Sequence, residues 1–358
     1  MSQLGLGMAP EDAPARRRRS RGPLAVLIAV VALVAVALGA FVGLRSLTGT
    51  SDFQGSGTGE VTVVVKKGDS LSAIGRTLAA AGVVADDGAF VDAAGGDPRA
   101  QGIAPGTYVL RSGMSGAAAV ELMLDPASRK VAKVAVPEGL RLDKTLAIAA
   151  KATGIPLADL KTAASKAGSL GLPAYADGNP EGFLFPATYE FQPDATADTV
   201  VKTMLNRFDQ AASDVDLEAA AAARGVDPLA VVTIASILEV EVAPGDYAKA
   251  ARVLYNRLDK GMRLQLDSTV NYALGKSDLK LSAADLATDS PYNTYKVKGL
   301  PPGPIASPGQ AALEAALDPA DGSWLYWVTT DIDARTTEFA TTYDQFLVLK
   351  KKFQANAG

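Results

Sequence analysis

The sequence predicts an α+β protein with a single N-terminal transmembrane helix, a small strand-and-helix domain, and a larger mixed α+β domain. Three observations carry this. An uncharged apolar run, Leu24–Leu44, directly follows a basic cluster, Arg16–Arg19 and Arg21. Beyond it, short β-branched runs alternate with capped, apolar-periodic segments, the pattern of small sheets packed on helices. Near the middle, residues 228–243 (PLAVVTIASILEVEVA) form a helix apolar on nearly every side, which only a larger domain can bury. At 358 residues and 48% hydrophobic, the chain has room for about two domains plus an anchor.

Composition narrows the chemistry. Cysteine and histidine are both absent, which excludes disulfides, thiol catalysis, Ser-His-Asp triads and histidine-held metals. Acid–base work must come from carboxylates, Lys, Tyr or the backbone. The formal net charge of −4 argues against a nucleic-acid-binding body.

Residues 1–22 read as a polar, basic cytoplasmic tail and 23–44 as the membrane span. The run Leu24–Leu44 rises about 30 Å as a helix, the thickness of the hydrocarbon layer. The arginines stay in the cytoplasm, so the C-terminal part lies on the outer face of the membrane. A cleaved signal peptide is the rival, with small residues at Ala35-Val36-Ala37 and Leu38-Gly39-Ala40. Its apolar region would ordinarily be about 7–15 residues, shorter than this one. A twin-arginine export signal is a second rival. Residues 45–60, which include TGTSDFQGSGTG, read as a flexible tether.

The small domain occupies 61–128. Val61–Val65 is a β-branched strand, Lys66–Asp69 a turn, and Asp69 or Ser70 caps a helix to about Ala81. A helix around Asp87–Ala94, a strand at Gly106–Leu110 and a helix at Ser115–Leu124 complete it. The string KKGDSLSAIGRTL (Lys66–Leu78) resembles the opening of a LysM glycan-binding module, although any capped helix after a strand gives similar letters.

The larger domain occupies 129–358. A strand at Arg129–Val136 and a Pro137-Glu138-Gly139 turn precede helices at Leu142–Ala152 and Leu157–Ala167, then a loop-rich stretch to Pro180. EGFLFPATYEF (Glu181–Phe191) concentrates aromatics, as the wall of a sugar cleft or as ordinary core. Helices at Asp198–Ala212 and Leu217–Arg224 lead to the central helix, where Asp227 is the N-cap, Pro228 fits the first turn and Pro244-Gly245 stops the run. Sixteen residues are too few for a membrane span. After it come a helix at Asp246–Lys260 and a polar set in MRLQLDSTVNYALG: Arg263, Gln265, Asp267, Asn271 and Tyr272. Ser282-x-x-Asp285 suits a short capped helix. Ser290–Gly309 holds five prolines and three glycines, and a long irregular loop of this kind is usually functional. Within it Tyr292, Asn293, Thr294 and Tyr295 supply donors, acceptors and ring faces; a rigid Pro-rich linker is the plainer reading. A helix after Gln310, strands at Trp324–Thr329 and Thr336–Thr341, and a helix from Tyr343 close the chain.

The central helix carries two carboxylates, Glu239 and Glu241. Residues two apart on a helix point about 200° away from one another, so they cannot form a close dyad. Glu241 stacks over Ile234, Ile237 and Leu238, whereas Glu239 stacks over Val232, Ala235 and Ser236. An apolar setting raises a carboxyl pKa and keeps its proton available near neutrality, which favours Glu241 as a proton donor. The plainer reading has both carboxylates in solvent at a frayed helix end.

The ordered series EGFLFPATY, IASILEVEV, VLYNRLDKGMRLQLDSTVNYALG, SPYNTYKVKGLPPGPIASPG and WLYWV…TEFATTYDQ resembles the YceG-like endolytic murein transglycosylases (the MltG family), from about residue 61 to 350. The resemblance implies a membrane-anchored peptidoglycan lytic transglycosylase with a LysM-like domain and a catalytic domain. It would cleave the MurNAc–GlcNAc β-1,4 bond of nascent glycan strands, leave 1,6-anhydro-MurNAc ends, and limit strand length beside wall synthases (penicillin-binding proteins). The family's acid, the second glutamate of an I-E-x-E-type string, falls on Glu241, with Glu239 next in order. Gln265, Asp267, Tyr292, Asn293 and Tyr295 are the expected substrate-binding residues. No cofactor, metal or nucleic acid is implied. Related sequences often carry a histidine near Thr337-Glu338-Phe339; this chain has none. Two alternatives are a hydrolytic muramidase using Asp267 or Glu239 as second carboxylate, and a non-catalytic peptidoglycan-binding scaffold for wall synthases.

Overall fold

A computed structural model of the chain describes residues 51–278, 280–331 and 336–356, with Val36 alone before them. The expected span at 23–44 lies outside the described residues apart from Val36. The chain divides into two units between Ser128 and Arg129. Among the described residues the sheets are small, three separate antiparallel pairs, and helices surround them. Among the described residues no single helix is long and apolar enough to cross a membrane.

In the first unit β1 (Ser56–Val65) pairs antiparallel with β2 (Gly106–Met114), from Val61 opposite Leu110 to Val65 opposite Gly106. β1 starts inside the stretch expected to be tether. Its polar end pairs Ser56 with Met114 and Thr58 with Ser112, and an irregularity between Thr58 and Val61 separates it from the regular pairing. Helices α1 (Leu71–Ala80), α2 (Asp87–Gly96) and α3 (Gly116–Leu124) are each capped by a side chain, Ser70, Asp86 and Ser115. They bury Ile74, Leu78, Phe90, Val120 and Met123 against Val63, Tyr108 and Leu110. α3 approaches α2 so closely that a Cβ on Gly116 would lie 2.0 Å from the Ala89 carbonyl oxygen.

The second unit contains β3 (Ala132–Ala135) and β4 (Thr188–Phe191), paired antiparallel. Besides two four-residue turns of helix, Ala167–Leu170 and Ala283–Leu286, its helices are α4 (Leu142–Thr153), α5 (Leu157–Ser165), α6 (Ala197–Asp214), α7 (Leu217–Arg224), α8 (Pro228–Glu241), α9 (Tyr247–Asp259), α10 (Asp267–Ala273) and α11 (Gln310–Leu317). A ribbon of β5 (Tyr326–Asp331) and β6 (Thr336–Ala340) carries the last helix, α12 (Tyr343–Asn356).

α8 is the axis of this unit. Asp227 accepts the Leu229 N–H at 2.8 Å, Pro228 occupies the first turn, and Val231–Leu238 are all buried. Glu181–Phe191 proves to be core: Phe183, Leu184 and Phe185 are buried, and Phe183 meets Phe208 edge-on at 4.8 Å. Much of the Pro-rich loop is core as well, because Gly303–Gly309 lie buried. The loop is tied to α8 by the Ile305 N–H, which donates to Ser236 Oγ at 3.0 Å. It is tied to the Pro137–Gly139 turn by the Gly139 N–H, which donates to the Ser307 carbonyl at 2.9 Å.

Candidate active site

α8 ends at Glu241, after which Val242 turns to extended backbone. Both carboxylates therefore sit in the last turn, where the helix's unpaired carbonyls disfavour negative charge. Neither is left in bulk solvent, as a frayed end would leave it. Glu239 is held as a bridge: Tyr247 Oη donates to its Oε1 at 2.8 Å and the Gly309 N–H to its Oε2 at 2.9 Å. Glu241 lines two depressions at once, one of about 370 Å³ and one of about 510 Å³. Burial raises its pKa and the neighbouring Asp267 raises it further. The Ser268 hydroxyl and backbone amide, and Arg257, act in the opposite direction. The sum is upward, so the carboxyl keeps its proton above the ordinary carboxylate range.

The smaller depression brings Glu241 together with Gln265, Asp267 and Tyr295. Gln265 and Asp267 come from a loop and a short helix start, and Tyr295 from the Pro-rich segment that holds them in place. The Gln265 N–H donates to the Thr294 carbonyl at 3.1 Å and the Leu266 N–H to Thr294 Oγ1 at 2.9 Å. Gln265 has φ of 53°, a left-handed conformation rare outside glycine. Such strain persists only where the surroundings impose it, and here the Thr294 bonds do so. Tyr295 Oη donates to Asp267 Oδ1 at 2.6 Å, which fixes both side chains at the rim. Aromatic walls complete the depression: Tyr326 and Trp327 from β5, and Tyr343 and Phe346 from α12. The larger depression has no tryptophan or phenylalanine in its wall; Glu239, Tyr247, Thr329 and Thr337 line it beside Glu241, with Val240, Val242, Ala243 and Pro244. Glu241 thus stands between an aromatic hollow and a hydroxyl-lined one.

Tyr292 and Asn293 line neither depression. Asn293 is fully buried; its Nδ2 donates to the Leu286 and Thr288 carbonyls at 3.0 and 2.7 Å, and its Oδ1 accepts the Tyr295 N–H at 3.1 Å. It shapes the loop that presents Tyr295. The Tyr292 ring packs on Tyr272 with centroids 4.7 Å apart. Sequence reasoning missed Arg257, Ser268 and the aromatic wall. The wall did leave a signal, since WLYWV with Tyr343 and Phe346 is an unusual aromatic density for a chain only 6% aromatic.

Comparison with known proteins gives a consistent picture. The YceG-like family model matches residues 63–352. Over 150 residues the chain is 43% identical to the endolytic murein transglycosylase of Bacillus subtilis (strain 168), covering 41% of each chain. It is 38% identical over 154 residues to the endolytic murein transglycosylase of Streptococcus pneumoniae serotype 2 (strain D39), covering 41% of this chain and 28% of that one. The matched stretches thus span less than half the length of these relatives. The crystal structure of a yceG-like protein from Listeria monocytogenes superposes with a TM-score of 0.57 at 29% identity, covering 81% of this chain and 99% of that one.

Proposed function

The chain belongs to the YceG-like family, and from that premise we propose that it is a peptidoglycan lytic transglycosylase with Glu241 as its acid and base. The observation that carries the reading is one carboxyl with an upward-shifted pKa at the junction of two open depressions. In the first half-reaction Glu241 protonates the glycosidic oxygen between MurNAc and GlcNAc; the bond from C1 to that oxygen breaks and its electron pair stays on the leaving oxygen. In the second half the MurNAc 6-hydroxyl attacks C1, closes the 1,6-anhydro ring, and returns its proton to Glu241. No water enters, and the intramolecular attack gains from proximity. Room on both sides of Glu241 suits a strand cut internally, with sugar faces against Trp327 and Tyr326 on one side. Gln265, Asp267 and Tyr295 orient the sugars, while Tyr292 and Asn293 act by supporting that rim. In this reading residues 23–44 anchor the chain in the cell membrane, the body works on nascent glycan at the outer face, and wall synthases are its neighbours.

A hydrolytic muramidase is the second reading, because Asp267 shares the depression with Glu241 and a second carboxylate is what hydrolysis requires. Its Oδ1 already accepts the Tyr295 hydroxyl, which suits a positioning role better than a base. The test is a digest of nascent, uncrosslinked glycan strands by the full-length protein in detergent, read by mass spectrometry. Wild type, Glu241→Gln and Glu239→Gln are run side by side. Internal fragments with anhydro-MurNAc ends, abolished by Glu241→Gln and only reduced by Glu239→Gln, are expected. Reducing ends would identify a hydrolase. Binding without cleavage by wild type would identify a scaffold.

A further inference from the structure

Arg257, on α9, lines the same depression as Glu241, Asp267 and Tyr295, yet is only 8% exposed. A charge buried this far is ordinarily paired with a carboxylate. Among the described residues none forms an ion pair with it. Instead its Nε donates to the Leu325 carbonyl at 2.6 Å and its Nη1 to the Leu264 carbonyl, while its Cζ lies 5.1 Å from the Tyr326 ring centroid. Two carbonyls and an aromatic face fix the direction of the guanidinium. They use only part of its donor capacity and none of its need for a counter-charge. The remaining groups that face Glu241 are Asp267 and Ser268 at the start of α10 and Tyr295 from the loop; its own helix carries Glu239 two residues back, pointing about 200° away.

We propose that Arg257 is a positioning residue for the lytic reaction, a fixed cation that stabilises the Glu241 carboxylate in the interval between giving its proton to the glycosidic oxygen and regaining one from the sugar 6-hydroxyl. The proposal rests on Glu241 being the acid. Burial and Asp267 both hold the proton on Glu241, and a carboxyl held too firmly protonated is a poor acid. Among the described residues Arg257 is the cation that opposes them. Its main-chain anchors keep it in place when the neighbouring carboxylate turns neutral, which a flexible surface lysine would not do.

The experiment is the pH dependence of kcat/KM on glycan strands for full-length wild type, Arg257→Gln, Arg257→Lys and Tyr326→Leu in detergent. A proton donor loses activity as pH rises through its pKa, so removing the cation should move that descending limb upward, by about one pH unit in Arg257→Gln. kcat should fall about 10- to 100-fold with KM changed much less, and Arg257→Lys should bring the limb part of the way back. A purely structural tie would lower activity and leave the limb where it is; that outcome in a folded Arg257→Gln overturns the proposal. If Arg257→Gln fails to fold, Tyr326→Leu decides, since it removes the ring but leaves both carbonyl bonds. A smaller upward move of the limb supports the role, and an unmoved limb overturns it. Reducing ends in place of anhydro ends would sink the lytic reading alone, because the limb still reports on the acid. Absence of any wild-type cleavage would sink both.

Discussion

Glu181 offers the sharpest test of the packing, because it is a carboxyl only 5% exposed and among the described residues no cation is bonded to it. Its Oε1 accepts the Leu142 N–H at 2.9 Å, at the start of α4, and its Oε2 accepts the Tyr272 hydroxyl at 3.3 Å, near the end of α10. Burial raises its pKa from 4.5 to about 7; the bonds from Leu142 and Tyr272 and the nearby Arg141 only partly oppose this, and Asp143 adds to it. Between those two pH values the unfolded chain has released the proton and the folded chain still holds it. Stability therefore falls as pH rises from about 4.5 to about 7, and levels off above. At 1.36 kcal/mol per pH unit the loss amounts to about 3 kcal/mol. Glu181→Gln keeps an acceptor for Leu142 and removes the titration. Urea unfolding followed by tryptophan fluorescence reads the second unit alone, since the only two tryptophans, Trp324 and Trp327, lie in it. Glu181→Gln should gain about 3 kcal/mol on wild type between pH 4.5 and pH 8. Parallel curves for the two proteins, or a wild type that gains stability over that interval, would refute the burial argument.

Two further outcomes follow from contacts elsewhere. Asn293→Ala removes both bonds to the Leu286 and Thr288 carbonyls and the acceptor for the Tyr295 N–H. It should cost about 2–4 kcal/mol in the same urea assay and lower kcat through Tyr295, and an unchanged midpoint would count against its buried role. Gly116→Ala drives a methyl group to within 2.0 Å of the Ala89 oxygen. It should destabilise the first unit by about 1–3 kcal/mol, read as faster hydrogen exchange across 56–124 with tryptophan fluorescence unaltered; unchanged exchange would contradict the close α2–α3 approach.

How much of this was legible in the sequence depends on the range of the interaction. The start of α8 was, because Asp227 and Pro228 act on residues next to them; its end fell at Glu241 rather than Ala243, since Val242 turns extended. The core role of Glu181–Phe191 could be weighed but not decided, because its aromatics meet Phe208 from another helix. α10 leaves no helical signal in the sequence, because its seven residues have little apolar periodicity. In the Pro-rich loop Tyr292, Asn293, Thr294 and Tyr295 read as subsite residues, yet of these only Tyr295 lines a depression beside Glu241. The other end is drawn inward by Ser236, an α8 hydroxyl whose partner lies 69 residues along the chain. Arg257 was illegible for the same reason: on an amphipathic helix an arginine reads as solvent-facing, and the carbonyl that holds it belongs to Leu325, 68 residues later.

The same contrast separates the two glutamates. From the helix alone, Glu239 and Glu241 differed only in which side chains lay beneath them, and that gave Glu241 the more apolar setting. The tertiary structure adds a second, independent asymmetry. Both oxygens of Glu239 already accept bonds, from a tyrosine on α9 and from the backbone at the start of α11, so it serves as a strut joining three elements. A proton passed from Glu239 to a substrate would have to sit on an oxygen that is accepting one of those bonds. Glu241 is bonded by Ser268 at the start of α10 but, unlike Glu239, opens onto both depressions, with burial and Asp267 raising its pKa and Ser268 and Arg257 opposing them. One glutamate braces the helix end so that the other can be presented there. With Glu241 as the proposed acid, replacing the strut should lower activity by loosening Glu241, whereas replacing Glu241 should abolish it.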